Sequence, residues 1–102
     1  MKNSTDLFEI LRKLQKKPTS SQRELAKQLG FSLGKLNYCL KSLQTKGLVK
    51  LENFSKQSNK ISYLRYVITR EGVAERTKLT VNFMKRKMKE YDELKQELER
   101  DK

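Results

Sequence analysis

The hydrophobic positions of this chain change period along its length, and each change predicts an element. Leu7, Ile10, Leu11 and Leu14, with Phe8 beside them, recur at the three- and four-residue spacing of one helical face, which predicts a helix over residues 6–16. Asp6 and Glu9 have the spacing of a capping-box variant at its start. Pro18 ends it, because the residue before a proline is pushed out of helical geometry. Ser21-Gln22-Arg23-Glu24 then has the S-x-x-E form, in which the serine hydroxyl and the glutamate each satisfy an unpaired amide of a new helix. Leu25, Ala26 and Leu29 form its apolar stripe, and Gly30 supplies the left-handed residue that stops it. Phe31 plugs the turn, and Ser32 caps a third helix that carries Leu36, Cys39, Leu40 and Leu43 inward and ends at Gly47. Helices joined by so short a glycine turn cross steeply, and Ala26 is small enough to let them approach.

After Gly47 the period becomes two. Residues 48–52 and 61–68 read as strands, and the polar, basic segment FSKQSNK between them reads as the loop of a hairpin. Thr69 caps a final helix with Glu71 well placed in its first turn. Nothing breaks the helical pattern from Gly72 onward, and at 1.5 Å per residue the remaining stretch would span roughly 40 Å, longer than the body it leaves. Ala74, Thr77, Val81, Met84, Met88, Tyr91 and Leu98 follow a heptad seam on it, with Lys95 the misfit and Leu94 flanking. Leu79 and Phe83 form a second stripe. One helix cannot bury both on so small a body, so one stripe is expected on its own domain and the other on a second copy. The element order predicts a mainly α fold with a small β-hairpin (α+β): a winged helix-turn-helix over residues 1–70 and a long C-terminal dimerisation helix over 71–102.

Composition sharpens this picture. With 35% hydrophobic and 35% charged residues, the 102-residue chain supports one small core. The net charge of +12 is unevenly placed: residues 1–70 hold 15 basic and 4 acidic side chains, whereas residues 71–102 hold 9 and 8. Solubility alone would spread the excess; its confinement to the first part of the chain favours a polyanion as partner. With no histidine and the single Cys39, the sequence excludes a zinc site of the usual ligand count, an internal disulfide and histidine-based catalysis. No Gly-rich phosphate loop is present, so neither enzymatic activity nor a cofactor is expected. Charged residues interrupt every apolar run at the N-terminus, and no stretch approaches the ~20 apolar residues of a membrane span. A reducing cytoplasm is the expected location.

If the third helix buries Leu36, Cys39, Leu40 and Leu43, its outward face is Ser32, Leu33, Gly34, Lys35, Asn37, Tyr38 and Lys41. Asn37 is suited to bidentate pairing with adenine, and Lys35 to guanine or a phosphate. Gly34 would let the backbone approach closely, and Tyr38 and Lys41 suit phosphate contacts that position the helix. In the hairpin, Lys56, Gln57, Asn59 and Lys60 suit backbone or minor-groove contact. The blander reading of both sets is ordinary solvated surface; the hairpin and the charge asymmetry together favour a groove. Arg12, Lys13, Lys16 and Lys17 are read as general field, and Lys85, Arg86, Lys87 and Lys89 as solvated helix surface. Cys39 has a redox-sensor reading, but a small apolar core residue is favoured over it.

The sequence also resembles a known family. SQRELAKQLGFS, the KGLV entering the hairpin and the VITREG leaving it are similar to the recurring pieces of the MarR-type winged-helix regulators. SLGKLNYCLKSL and LTVNFMKRKMKEYDELKQELE resemble the small subgroup associated with exopolysaccharide (EPS) gene clusters, and the similarity runs from about Leu7 to Leu98. The resemblance implies a dimeric bacterial transcription factor acting near polysaccharide biosynthesis genes. Larger MarR proteins dimerise through helices at both ends and often bind phenolic effectors between their lobes. This chain has the single long C-terminal helix, so that pocket is not carried over. The expected function is a homodimeric, sequence-specific regulator that binds double-stranded DNA. The alternatives are a winged-helix protein–protein interaction module, which the charge asymmetry disfavours, and an RNA-binding winged helix, which lacks exposed interleaved aromatics.

Overall fold

The computed structural model describes residues 4–17, 21–55 and 62–101. Helix α1 (Ser4–Lys16) is followed by α2 (Gln22–Leu29), α3 (Leu33–Thr45), β1 (Val49–Ser55), β2 (Ser62–Ile68) and α4 (Arg70–Arg100). The helix starts follow the local chemistry. Ser21 and Glu24 form the reciprocal capping box ahead of α2, with Glu24 N–H donating to Ser21 Oγ at 3.1 Å and Ser21 N–H donating to the Glu24 carboxylate at 3.3 Å. The Ser32 side chain accepts the Lys35 N–H at 3.1 Å, and the Thr69 side chain accepts the Gly72 N–H at 2.9 Å. At α1 the expectation needs correction. The helix begins at Ser4, so Asp6 lies within the first turn and is not its cap, while Glu9 pairs with Arg12 at 3.4 Å. The apolar stripe begins only at Leu7, but helical hydrogen bonding extends ahead of it.

The two strands pair antiparallel in a register running from Val49↔Ile68 to Ser55↔Ser62. The ladder therefore takes in Phe54 and Ser55, which the pattern of side chains assigns to the loop. Backbone pairing continues past the last apolar alternation.

Ile10, Leu11 and Leu14 of α1, Leu25 of α2, Leu36, Leu40 and Leu43 of α3 and Val49 of β1 form the fully buried centre. Ala26, Cys39 and Tyr66 complete it, with Leu7, Leu29, Phe31, Leu48, Ile68 and Leu79 partly buried against it. The hairpin base, the end of α3 and the start of α4 meet in one joint. Thr69 Oγ1 donates to the Gly47 carbonyl at 2.7 Å, and Thr69 N–H donates to the Leu48 carbonyl at 3.0 Å. Gly72 lies so close to this turn that a Cβ there would overlap the Leu48 carbonyl oxygen and come within 2.6 Å of Ile68 Cγ1. Only a glycine fits.

Helix α4 divides its two stripes as expected on the side of its own domain. Leu79 packs on the core, and Phe83 stacks on Phe8 with ring centroids 6.1 Å apart. From Met84 to Asp101 every residue is exposed, so the last four to five turns project beyond the body. The radius of gyration is 17.9 Å, where a compact chain of this length would have roughly 13 Å, and the longest extent is 68 Å. Among the described residues, no helix is long and apolar enough to cross a membrane.

Candidate nucleic-acid interface

The turn between α2 and α3 sets the orientation of the α3 surface. Gly30 adopts φ 71°, and the Phe31 N–H returns to the Ala26 carbonyl at 2.9 Å. This left-handed cap ends α2 and redirects the chain within two residues. Because Leu36, Cys39, Leu40 and Leu43 are buried beneath, Ser32, Leu33, Gly34, Lys35, Asn37, Tyr38 and Lys41 all stand exposed on the outward side. Tyr38 is 65% exposed, an orientation that leaves its ring available for an external contact. A Cβ at Gly34 would meet nothing within 4 Å, so internal packing does not explain the glycine there.

Lys35 is more constrained than its place on the helix suggests. Its ammonium group pairs with the Asp6 carboxylate at 3.1 Å and sits 4.2 Å from the centroid of the Phe31 ring. Any external anion must compete with Asp6 for it. The two residues are far apart in sequence, and no local pattern links them. Two further cations, Arg23 and Lys27, stand exposed one turn apart on α2. The hydrophobic pattern assigns them no role; their i,i+4 spacing beside the buried Leu25 and Ala26 is the signal that marks them.

Cys39 is 8% exposed. Burial, helped by the Asp6 charge, raises its thiol above the ordinary 9.0, and Lys35 opposes this only in part. The thiol is therefore protonated at neutral pH, which suits a core residue and not a reactive thiolate.

On the hairpin, Lys50 pairs with Glu52 at 3.1 Å, and Glu52 stands opposite Arg65 in the strand register. The expected tip contacts Lys56, Gln57, Asn59 and Lys60 lie outside the described residues. Along α4 the expected seam is laid bare: Ala74 and Thr77 are exposed, and exposure reaches 44% at Val81 and 65% at Leu98, with Met84, Met88, Tyr91 and Leu94 between.

A family model described as winged helix-turn-helix DNA-binding matches residues 7–50, the stretch from α1 into β1. This chain has the winged helix-turn-helix fold. In it, α2 and α3 are the crossed pair and β1–β2 form the wing. No curated protein matches the sequence. Among solved structures, the PcaV transcriptional regulator of Streptomyces coelicolor, in complex with its natural ligand, aligns with a TM-score of 0.67 at 17% identity, over 81% of this chain and 57% of its own. The zinc-responsive MarR family member ZitR of Lactococcus lactis aligns with a TM-score of 0.64 at 21% identity, over 92% of this chain and 62% of its own. The MarR family transcription regulator SP03579 aligns with a TM-score of 0.63 at 21% identity, over 92% and 68%. At these identities the likeness is one of fold, and this chain spans less than two thirds of the length of PcaV or ZitR. Among its described residues, no group of three His, Cys, Asp or Glu side chains gathers in a metal-binding arrangement.

Proposed function

We propose that this winged helix is a MarR-like, non-enzymatic transcriptional regulator that binds double-stranded DNA as a homodimer. Residues 1–70 act as the DNA-binding domain and residues 71–102 as the dimerisation helix. The observation that carries the reading is the outward face of α3: Asn37, Tyr38 and Lys41 are exposed together on the second helix of the crossed pair. That body also holds 15 basic and 4 acidic side chains. In a helix-turn-helix this second helix enters the major groove.

Asn37 reads a base edge, most suitably adenine, and Gly34 lets the helix backbone sit close to the groove floor. Ser32, Tyr38 and Lys41 fix the helix against phosphates, Leu33 offers an apolar contact to a thymine methyl, and Lys35 joins them once Asp6 releases it. Lys56, Asn59 and Lys60 of the wing contact the backbone or minor groove. Val81, Met84, Met88, Tyr91, Leu94 and Leu98 pair with a second copy, along the seam that begins at Ala74 beside the body. The resemblance of SLGKLNYCLKSL and of the α4 sequence supports exopolysaccharide biosynthesis genes as targets and the bacterial cytoplasm as location.

The test is selection of genomic fragments bound by the full-length protein, followed by titration of the selected duplex. Asn37→Ala should lower affinity for that duplex by about 1–3 kcal/mol and relax its preference at one base pair. Lys60→Ala should weaken all sequences alike and flatten the log–log salt dependence by about one unit. Unchanged titration curves for Asn37→Ala and Lys41→Ala would show that α3 does not enter the groove.

A further inference from the structure

Helix α4 carries its charge in two blocks. From Arg76 to Lys89 it has six cations and no acid; from Glu90 to Asp101 it has six acids and two cations. The exposed seam of Val81, Met84, Met88, Tyr91 and Leu98 crosses both blocks. We propose that a second copy of this chain lies antiparallel along this seam, with Val81 against the partner's Leu98 and Met88 against the partner's Tyr91. The proposal rests on the homodimer reading and adds its direction and register.

The heptad limits the register to steps of seven residues, and the flanking charges select among them, since one step toward the body sets Lys85 against its own copy and one step away from it sets Asp92 against its own. Val81 and Met88 occupy one seam position, and Met84, Tyr91 and Leu98 the other. In an antiparallel pair the two kinds of position face each other, layer by layer. Aligning Val81 with the partner's Leu98 also aligns Met88 with the partner's Tyr91, and the reverse pairs follow by the two-fold symmetry of a closed dimer. The overlap from about Lys78 to Asp101 is then roughly 36 Å long, a little over three heptads.

Lys95 decides between the directions. It occupies a seam position, so a parallel, in-register pair would set two ammonium groups against each other inside the interface. In the antiparallel register each Lys95 faces the partner's Met84. Its aliphatic stem then lies along the thioether while the charge reaches water. The flanking positions agree: Lys85 comes beside the partner's Asp92, and Lys78 beside the partner's Glu99. A parallel pair would instead place the Lys85–Lys89 cluster beside its own copy. Lys87 is held by Glu90 of its own chain at 3.6 Å, so it is not needed for this match. The body does not obstruct the approach, since it covers α4 through Leu79 and Phe83 and leaves Val81 and Met84 exposed.

The test uses full-length variants that each add one cysteine, with wild type as the control for the buried Cys39. Val81→Cys and Leu98→Cys are each oxidised alone and as an equimolar mixture, then separated on non-reducing gels. The expected result is a disulfide-linked dimer from the mixture only. A linked dimer from Val81→Cys alone would show parallel pairing and overturn the proposal. Absence of linkage in all three samples, from protein that light scattering shows to be dimeric, would also overturn it. A wild-type protein that is monomeric by light scattering would defeat the homodimer reading itself. As a second measure, Lys85→Glu should weaken dimerisation by up to about fivefold, and adding Asp92→Lys should restore it. No restoration would count against the antiparallel match.

Discussion

At Gly72 a methyl group would collide with the Leu48 carbonyl oxygen and with Ile68, both held by the joint that fixes the hairpin to α4. At Gly34, in the first turn of α3, the same methyl group would meet open space. Replacement by alanine should therefore act in opposite directions. Gly72→Ala should lower the free energy of unfolding in urea by about 1–3 kcal/mol or more, the cost of overpacking against backbone. Gly34→Ala should raise it by about 0.4–1 kcal/mol, because the unfolded chain loses freedom. It should also weaken DNA binding, since the added methyl would stand between α3 and the bases. Asp6 offers a different test. Asp6→Asn should cost less than about 1 kcal/mol of stability, as expected for a pair whose lysine is half exposed. The variant should bind DNA more tightly, and its salt dependence should steepen by about 0.9 on the log–log plot as Lys35 becomes free for a phosphate. An unchanged slope would place Lys35 away from the DNA. Neither Gly72 nor the Asp6–Lys35 pair could be read from the sequence, because in each case the partner lies in a distant segment.

At the scale of the elements, local chemistry was a good guide wherever the stabilising partner is within a few residues. The Ser21–Glu24 box, the left-handed Gly30 and the Ser32 and Thr69 caps all stand where the sequence pattern predicts them. Ser21→Ala should cost about 1 kcal/mol in urea unfolding, whereas Ser21→Gly should cost only a few tenths. A Ser21→Ala cost near zero would mean that the hydroxyl contributes nothing. The pattern was a poorer guide at edges defined by backbone alone. Helix α1 starts at Ser4, ahead of its apolar stripe, and β1 continues to Ser55, beyond its own. In both places hydrogen bonds between main-chain groups carry an element past its regular apolar pattern. For the candidate site, the outward face of α3 was legible because the four buried residues opposite it have clear helical spacing. The engagement of Lys35 by Asp6 and Phe31 was not, since it arises only when α1 is packed across α3.

For the whole molecule, the charge asymmetry and the two stripes of α4 were visible in the sequence, and the body took the Leu79–Phe83 stripe as expected. The other stripe is left without cover within the chain. Met88→Glu places a carboxylate in the middle of the proposed seam, where it would be desolvated without a partner. Sedimentation at micromolar concentration should show a monomer, and affinity for a two-half-site duplex should fall while thermal stability of the body changes little. Retention of the dimer would move the interface away from α4. The uninterrupted course of α4 has one more consequence. After Gly72 the sequence has neither glycine nor proline, and the joint at Thr69 anchors the helix to the wing and to the end of α3. Sharp bends need such residues or an inserted group, so α4 is a stiff strut. In an antiparallel pair the symmetry axis falls between residues 89 and 90, about 18 Å along the helix from the middle of the stretch that packs on the body. Two bodies are then held roughly 36 Å apart along the strut, close to one turn of B-DNA. Such a helix pair would be a caliper of fixed opening, and half-sites a few base pairs out of phase would be rejected before any base is read.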